Sequence, residues 1–267
     1  MSFDLTNKRI WVAGHNGMVG SALVRHLAKF PCSTITVERS ELDLLDQKQT
    51  EAWVKNNQPD AIIVAAAKVG GILANKTEPA AFLYNNLVIS SNVIHAAHLA
   101  NVDHLLYLGS SCIYPKDAQT PIDDNQLLTG PLEPTNQWYA IAKIAGVKMV
   151  EAYRHQYGRN YISAIPTNLY GPNDNFDLKA SHVLPALINK AHLAKTRSSP
   201  KLTIWGTGKP KREFLHVDDC ASALIHVLKN YDSDAPINIG TGTDISIREL
   251  AVLVCECIGF TGELEND

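Results

Sequence analysis

The sequence predicts an α/β fold, a doubly wound parallel sheet of the Rossmann type with a smaller C-terminal lobe. Three observations predict it. Short β-branched runs alternate with longer helical patterns along most of the chain, a glycine-spaced turn joins the first run to the first helix, and the spacing leaves room for crossovers. Strands that alternate with helices pack as right-handed crossovers on a sheet covered on both faces. Ligands of such sheets sit beyond the carboxyl ends of the strands.

The elements follow in order. Residues 9–13, 33–37, 60–65, 104–108 and 161–165 read as strands, and 18–29, 47–57, 79–100 and 136–157 as helices. Beyond them, residues 214–219 lead into a helix with Ala221, Leu224, Ile225 and Leu228 at core spacing, then a strand at 236–239. Ser246 and Glu249 fit a capping box for a last amphipathic helix. The reading divides the chain into a dinucleotide-binding part, 1–165, and a mostly substrate-binding part, 166–267, with elements near 213–240 returning to the first.

Composition narrows the function classes. A chain of 267 residues that is 45% hydrophobic and 19% charged can bury a large core. A net charge of −3, without a sustained basic run, argues against nucleic-acid or membrane partners. Five cysteines without a CxxC pair suggest neither a disulfide framework nor a metal site, and point to a reducing cytoplasm. No apolar run reaches signal-peptide or membrane-spanning form.

The first strand runs into Gly14-His15-Asn16-Gly17-Met18-Val19-Gly20. Gly14 allows the tight turn, Gly17 lets backbone amides approach a pyrophosphate, and Gly20 lets helix pack on strand; the helix N-terminus favours negative charge. After the second strand, Glu38 suits a ribose hydroxyl and Arg39 a 2′-phosphate, so the residues leave NADP against NAD open. The fourth strand ends in Leu108-Gly109-Ser110-Ser111-Cys112. Tyr139 and Lys143, four apart, share one helix face. An ammonium beside a phenol favours the phenolate, so the pair predicts a lowered tyrosine pKa and a proton donor for a carbonyl.

Taken together, the glycine turn, Ser110, Tyr139 and Lys143 resemble the extended short-chain dehydrogenase/reductase family, which acts largely on nucleotide sugars. The strings AAAKVGGI (65–72), GSSCIYPK (109–116), EPTNQWYAIAK (133–143), PTNLYGP (166–172) with DNF (174–176), and REFLHVDD (212–219) are more selective. They resemble the branch that epimerises and reduces GDP-linked 4-keto-6-deoxy sugars, over nearly the whole chain. The resemblance implies inversion at C3 and C5, then reduction of the C4 ketone by NADPH. It implies Cys112 as the base of the inversions, its thiol pKa depressed beside the cofactor, and His182 as the acid. Tyr139 then protonates the C4 oxygen, Lys143 holds the ribose, and Ser110 orients the ketone.

The same resemblance places Pro166, Thr167, Asn168 and Leu169 beside the nicotinamide, with His182 also at the cofactor. Lys190, Trp205 and Arg212 fall at positions that hold GDP. Chemically, the two cations can neutralise a diphosphate and the indole can stack. Ser181 fits a helix N-cap equally well. Asn16 replaces an arginine of some relatives, so an NADP preference rests on Arg39. Helices 79–100 and 136–157 are those through which the superfamily pairs as homodimers. The family normally continues with further lobe elements past Asp267. Two other readings share the glycine turn and the Tyr-Lys pair: an epimerase or dehydratase that recycles its cofactor, and a non-catalytic dinucleotide-binding scaffold.

Overall fold

The computed structural model of the chain describes residues 2–178 and 180–267. Its elements are β1 (Arg9–Ala13), α1 (Met18–Leu27), β2 (Ser33–Ile35), α2 (Gln47–Asn57), β3 (Ala61–Val64), α3 (Ile72–Thr77), α4 (Pro79–Leu99) and β4 (His104–Leu108). There follow α5 (Gln137–Tyr157), β5 (Asn160–Pro166), β6 (Asn168–Tyr170), α6 (Val183–Thr196), β7 (Lys201–Ile204) and β8 (Lys211–His216). The chain closes with α7 (Val217–Asn230), β9 (Ile237–Ile239), β10 (Asp244–Ser246), α8 (Ile247–Ile258) and β11 (Glu263–Asn266).

A six-stranded parallel sheet of order β2-β1-β3-β4-β5-β9 forms the centre. Its inner strands are apolar on both sides because helices cover both faces. One face packs on α1 and α7 through Leu23, Leu27, Leu224 and Leu228. The other packs on α4 and α5 through Val93, Ile94, Ile144 and Val147. The order reverses between β1 and β3, and the turn after β1 opens there.

The lobe is thinner. A three-stranded sheet, β10-β8-β6, and a two-stranded one, β11-β7, close on α6 and α8 over a third core containing Leu187, Leu202, Leu250 and Phe260. Thus β9 joins the central sheet, while β8 and β10 on either side of it in the chain belong to the lobe. The capping box at α8 forms: the Glu249 amide donates to Ser246 Oγ at 3.2 Å, and the Ser246 amide donates to Glu249 Oε2 at 2.9 Å. Those two bonds satisfy donors that the helix itself leaves open.

Several expectations shift. The second strand ends at Ile35 rather than 37, and the lead-in to α7 is itself a strand that starts upstream of Phe214, at Lys211. Ser181 is not the cap of α6; His182 holds that place without a side-chain bond, and Ser181 Oγ is buried with no partner. Just before it, the Gly71 amide donates to the Ala180 carbonyl at 2.8 Å, which ties this segment to the 65–72 loop.

Candidate functional site

The glycine turn is built for close approach. Gly14 has φ +89°, and a Cβ there would lie 2.6 Å from Ala66 backbone atoms, so glycine is required on both counts. Gly17 caps α1 with no side-chain bond, and no acidic residue stands in the first turn. The open amides and the helix dipole therefore face the cleft with their positive end, which suits a pyrophosphate. At its rim, His15 Nε2 lies 3.2 Å and Asn16 Nδ2 2.8 Å from the Glu38 carboxylate. Glu38 is drawn to the turn, whereas the exposed Arg39 has no ion pair among the described residues.

At the carboxyl end of β4 the predicted catalytic residues meet. Gly109 is held to β5 by its amide, which donates to the Ala164 carbonyl at 2.8 Å, and Ser111–Ile113 forms a tight 3-10 turn. That turn brings Ser110 close to both Tyr139 and Cys112. Lys143 is buried, donating from Nζ to the Leu108 carbonyl at 2.7 Å. Its ammonium lies 4.9 Å from the Tyr107 ring centroid and 5.8 Å from that of Tyr139.

This geometry corrects two expectations. The Tyr139 phenol is pushed well above its ordinary value, first by burial, then by Cys112 and Tyr107, with only the Ser110 bond opposing. Lys143 fails to lower it because burial draws its own pKa down to about 8 and its proton points at Leu108. Cys112 is likewise pushed up to about 11 by burial, against weaker pulls from Ser110 and Lys143, rather than depressed. Desolvation of the charged form is the largest cause in both cases. A phenol that keeps its proton suits an acid.

His182 stands at the start of α6, exposed to water yet crowded enough that desolvation holds its imidazole below the ordinary value, with Asp174 opposing. It follows directly on the 180–181 segment against which the 65–72 loop docks. That loop is pinned in turn by Asn86, which accepts from the Lys68 amide at 2.8 Å and donates to its carbonyl at 3.0 Å. Pro166 ends β5; Thr167 Oγ1 and Asn168 Nδ2 donate to the Glu213 carbonyl at 3.1 and 2.9 Å, and Leu169 pairs with Leu215.

In the lobe, Lys190 Nζ lies 4.8 Å from the Trp205 ring centroid and donates to the Thr203 carbonyl at 3.2 Å. Burial lowers its pKa, with Asp267 opposing. Trp205 is 62% exposed, a flat surface open to a ligand. Arg212 is exposed on β8 and donates to the Lys211 carbonyl at 2.7 Å. Among the described residues no cluster of His, Cys, Asp or Glu could hold a metal ion, the five cysteines are free thiols, and no helix is long and apolar enough to cross a membrane.

Sequence reasoning missed Tyr107 and Phe82. Phe82 meets the Tyr139 ring edge-on at 6.4 Å, and Tyr107 forms the wall under Lys143. One signal was present for Tyr107. Gly146 sits inside α5, where glycine costs about 1 kcal/mol, and a Cβ there would collide with the Tyr107 ring.

Residues 10–240 match the model of the NAD dependent epimerase/dehydratase family. The chain is 57% identical over 263 residues to a GDP-L-fucose synthase of Sinorhizobium fredii, covering 98% of this chain and 84% of that protein. Among solved structures it resembles a GDP-6-OMe-4-keto-L-xylo-heptose reductase from C. jejuni, with TM-score 0.94 and 36% identity over 100% of this chain and 88% of that one. It also resembles a GDP-L-fucose synthetase from Naegleria fowleri bound to NADP, with TM-score 0.91 and 29% identity over 100% of this chain and 82% of that one.

Proposed function

The chain belongs to the NAD dependent epimerase/dehydratase family, and from that premise we propose that it converts GDP-4-keto-6-deoxy-D-mannose to GDP-L-fucose with NADPH. The observation that carries this reading is the convergence of Ser110, Cys112, Tyr139 and Lys143 at the end of β4. The relatives' names supply the substrate class. A recycling epimerase or dehydratase would share Tyr139 and Lys143 but has no need of Cys112 and His182 as an inversion couple.

The dinucleotide fits the turn at Gly14 to Gly20 and the adjoining Leu108, Gly109 and Ser111, with Arg39 for a 2′-phosphate and Pro166 to Leu169 at the nicotinamide end. NADPH supplies the hydride when bound. Arg39 offers a bidentate cation, and Glu38, already engaged by His15 and Asn16, is less available to a ribose hydroxyl. NADP is therefore preferred over NAD.

Cys112 and His182 carry the inversions. Each removes or returns a proton beside the C4 ketone, whose oxygen takes up the charge and is oriented by Ser110. At neutral pH the thiol holds its proton and the imidazole is mostly neutral, since one pKa is raised and the other lowered. Cys112 serves as base only in its thiolate fraction. Tyr139, still protonated, then gives its proton to the C4 oxygen as the carbon is reduced, and the Lys143 ammonium stabilises the phenolate left behind and holds the ribose hydroxyls. In the lobe, Lys190, Trp205 and Arg212 hold the GDP.

A homodimer through α4 and α5 completes the reading. Tyr84, Leu99, Trp138, Ile141 and Tyr157 are exposed apolar side chains on these two helices. A monomeric mass by light scattering at micromolar concentration would remove the dimer. The function itself is tested by NADPH oxidation with GDP-4-keto-6-deoxy-mannose, the product being identified by mass and sugar stereochemistry. GDP-L-fucose is expected; an NADPH pool that stays intact while the sugar is converted would establish a recycling enzyme instead.

A further inference from the structure

We infer that Glu213 is a positioning residue that aims Arg212 and couples the lobe to the cofactor edge of the cleft. The inference rests on the proposed function, because Arg212 enters it as a GDP contact. Glu213 lies on β8 opposite Asp244, where the chain passes from the central sheet into the lobe. Its carboxylate Oε1 accepts from the Gly242 amide at 2.7 Å, from the Thr241 amide, and from Thr241 Oγ1 at 3.2 Å. The same residue's carbonyl holds Thr167 and Asn168.

The turn after β9 is shaped around that carboxylate. A Cβ on Gly240 would collide with it. Among the described residues no cation pairs with Glu213, so its charge is met chiefly by backbone amides of the turn, with the Thr241 hydroxyl adding one bond. Successive strand residues face opposite sides. With Glu213 tied inward to the 240–242 turn, Arg212 is committed to the other face of β8, where it is exposed. Freed from the clamp, β8 loses the contact that fixes this orientation relative to Thr167 and Asn168.

A role confined to stability and a positioning role differ in what they move. Glu213→Ala should raise KM for the GDP-sugar about tenfold, with kcat within about twofold, and speed amide exchange at Thr241 and Gly242. Affinity for GDP alone, measured by calorimetry, should fall by a similar factor, while affinity for NADPH stays within about twofold because the main-chain carbonyl remains. Glu213→Gln keeps an acceptor oxygen and should recover most of the affinity; Glu213→Asp, one methylene shorter, should not. Gly240→Ala gives an independent route to the same displacement and the same KM rise. The proposal is overturned if the alanine variant loses only thermal stability with KM and GDP affinity unchanged, or if kcat falls while KM holds. Failure of the wild-type chain to turn over the sugar counts against the function; GDP affinity and amide exchange still decide the role of Glu213.

Discussion

The two sides of the cleft are made of different material. On the cofactor side, β3 is buried at every residue and β5 at every residue but its first, and the turn that follows β1 offers backbone amides. On the lobe side, β8, β10 and β11 hold Leu215 as their one buried residue, and the contacts offered are side chains: Lys190, Trp205 and Arg212. A backbone cradle in a dense sheet is rigid without further support. Side chains on thin strands need devices such as the Glu213 clamp and the Ser246–Glu249 box to hold them in place. Changes on the first side should therefore alter chemistry or cofactor binding, and changes on the second should alter substrate affinity or local stability.

The sharpest test of that division is Tyr139→Phe. Removing the acid should cut NADPH oxidation about 10²–10⁴-fold while sparing deuterium entry from solvent at C3 and C5. Equal loss of both would merge reduction and inversion into one event. Cys112 supplies a pH test of the same centre. With its pKa near 11, the thiolate fraction grows about tenfold per pH unit below that value, so deuterium entry should climb steadily from pH 7 to 10. Exchange that is flat above pH 7 would transfer the base role to His182, whose pKa is lowered; in Cys112→Ser, exchange should be slow at every pH.

Gly14→Ala comes next in size. The left-handed backbone and the clash with Ala66 should cost about 1–3 kcal/mol, seen as a lower melting temperature and weakened NADPH binding. GDP affinity should hold, because the lobe is untouched; its loss would show that the two sides are not separable. The smallest effect belongs to Ser246→Ala, which removes one side of the capping box and should cost about 1 kcal/mol. Unfolding is its readout, and a change in NADPH affinity would again break the division.

The central sheet was legible because its inner strands are mostly apolar runs, such as Ala61–Val64 and Leu105–Leu108, between helical patterns, and parallel strands buried on both faces must be written that way. The glycine turn was legible for a similar reason, since close backbone approach excludes side chains. Lobe strands were harder to read. Lys211-Arg212-Glu213 carries three charges, so β8 shows no apolar signature before Phe214, and its pairing with β6 and β10 depends on segments far along the chain.

By itself the sequence determined the order of elements, the dinucleotide turn and the identity of the residues at the end of β4, because each depends on local spacing and residue chemistry. Protonation at that site was decided by the tertiary structure. The Tyr-Lys spacing places an ammonium near a phenol, yet burial under Tyr107 and Phe82 and the turn of Lys143 toward the Leu108 carbonyl leave Tyr139 and Cys112 holding their protons. Desolvation depends on everything packed around a group, and that sum is set only when distant segments come together.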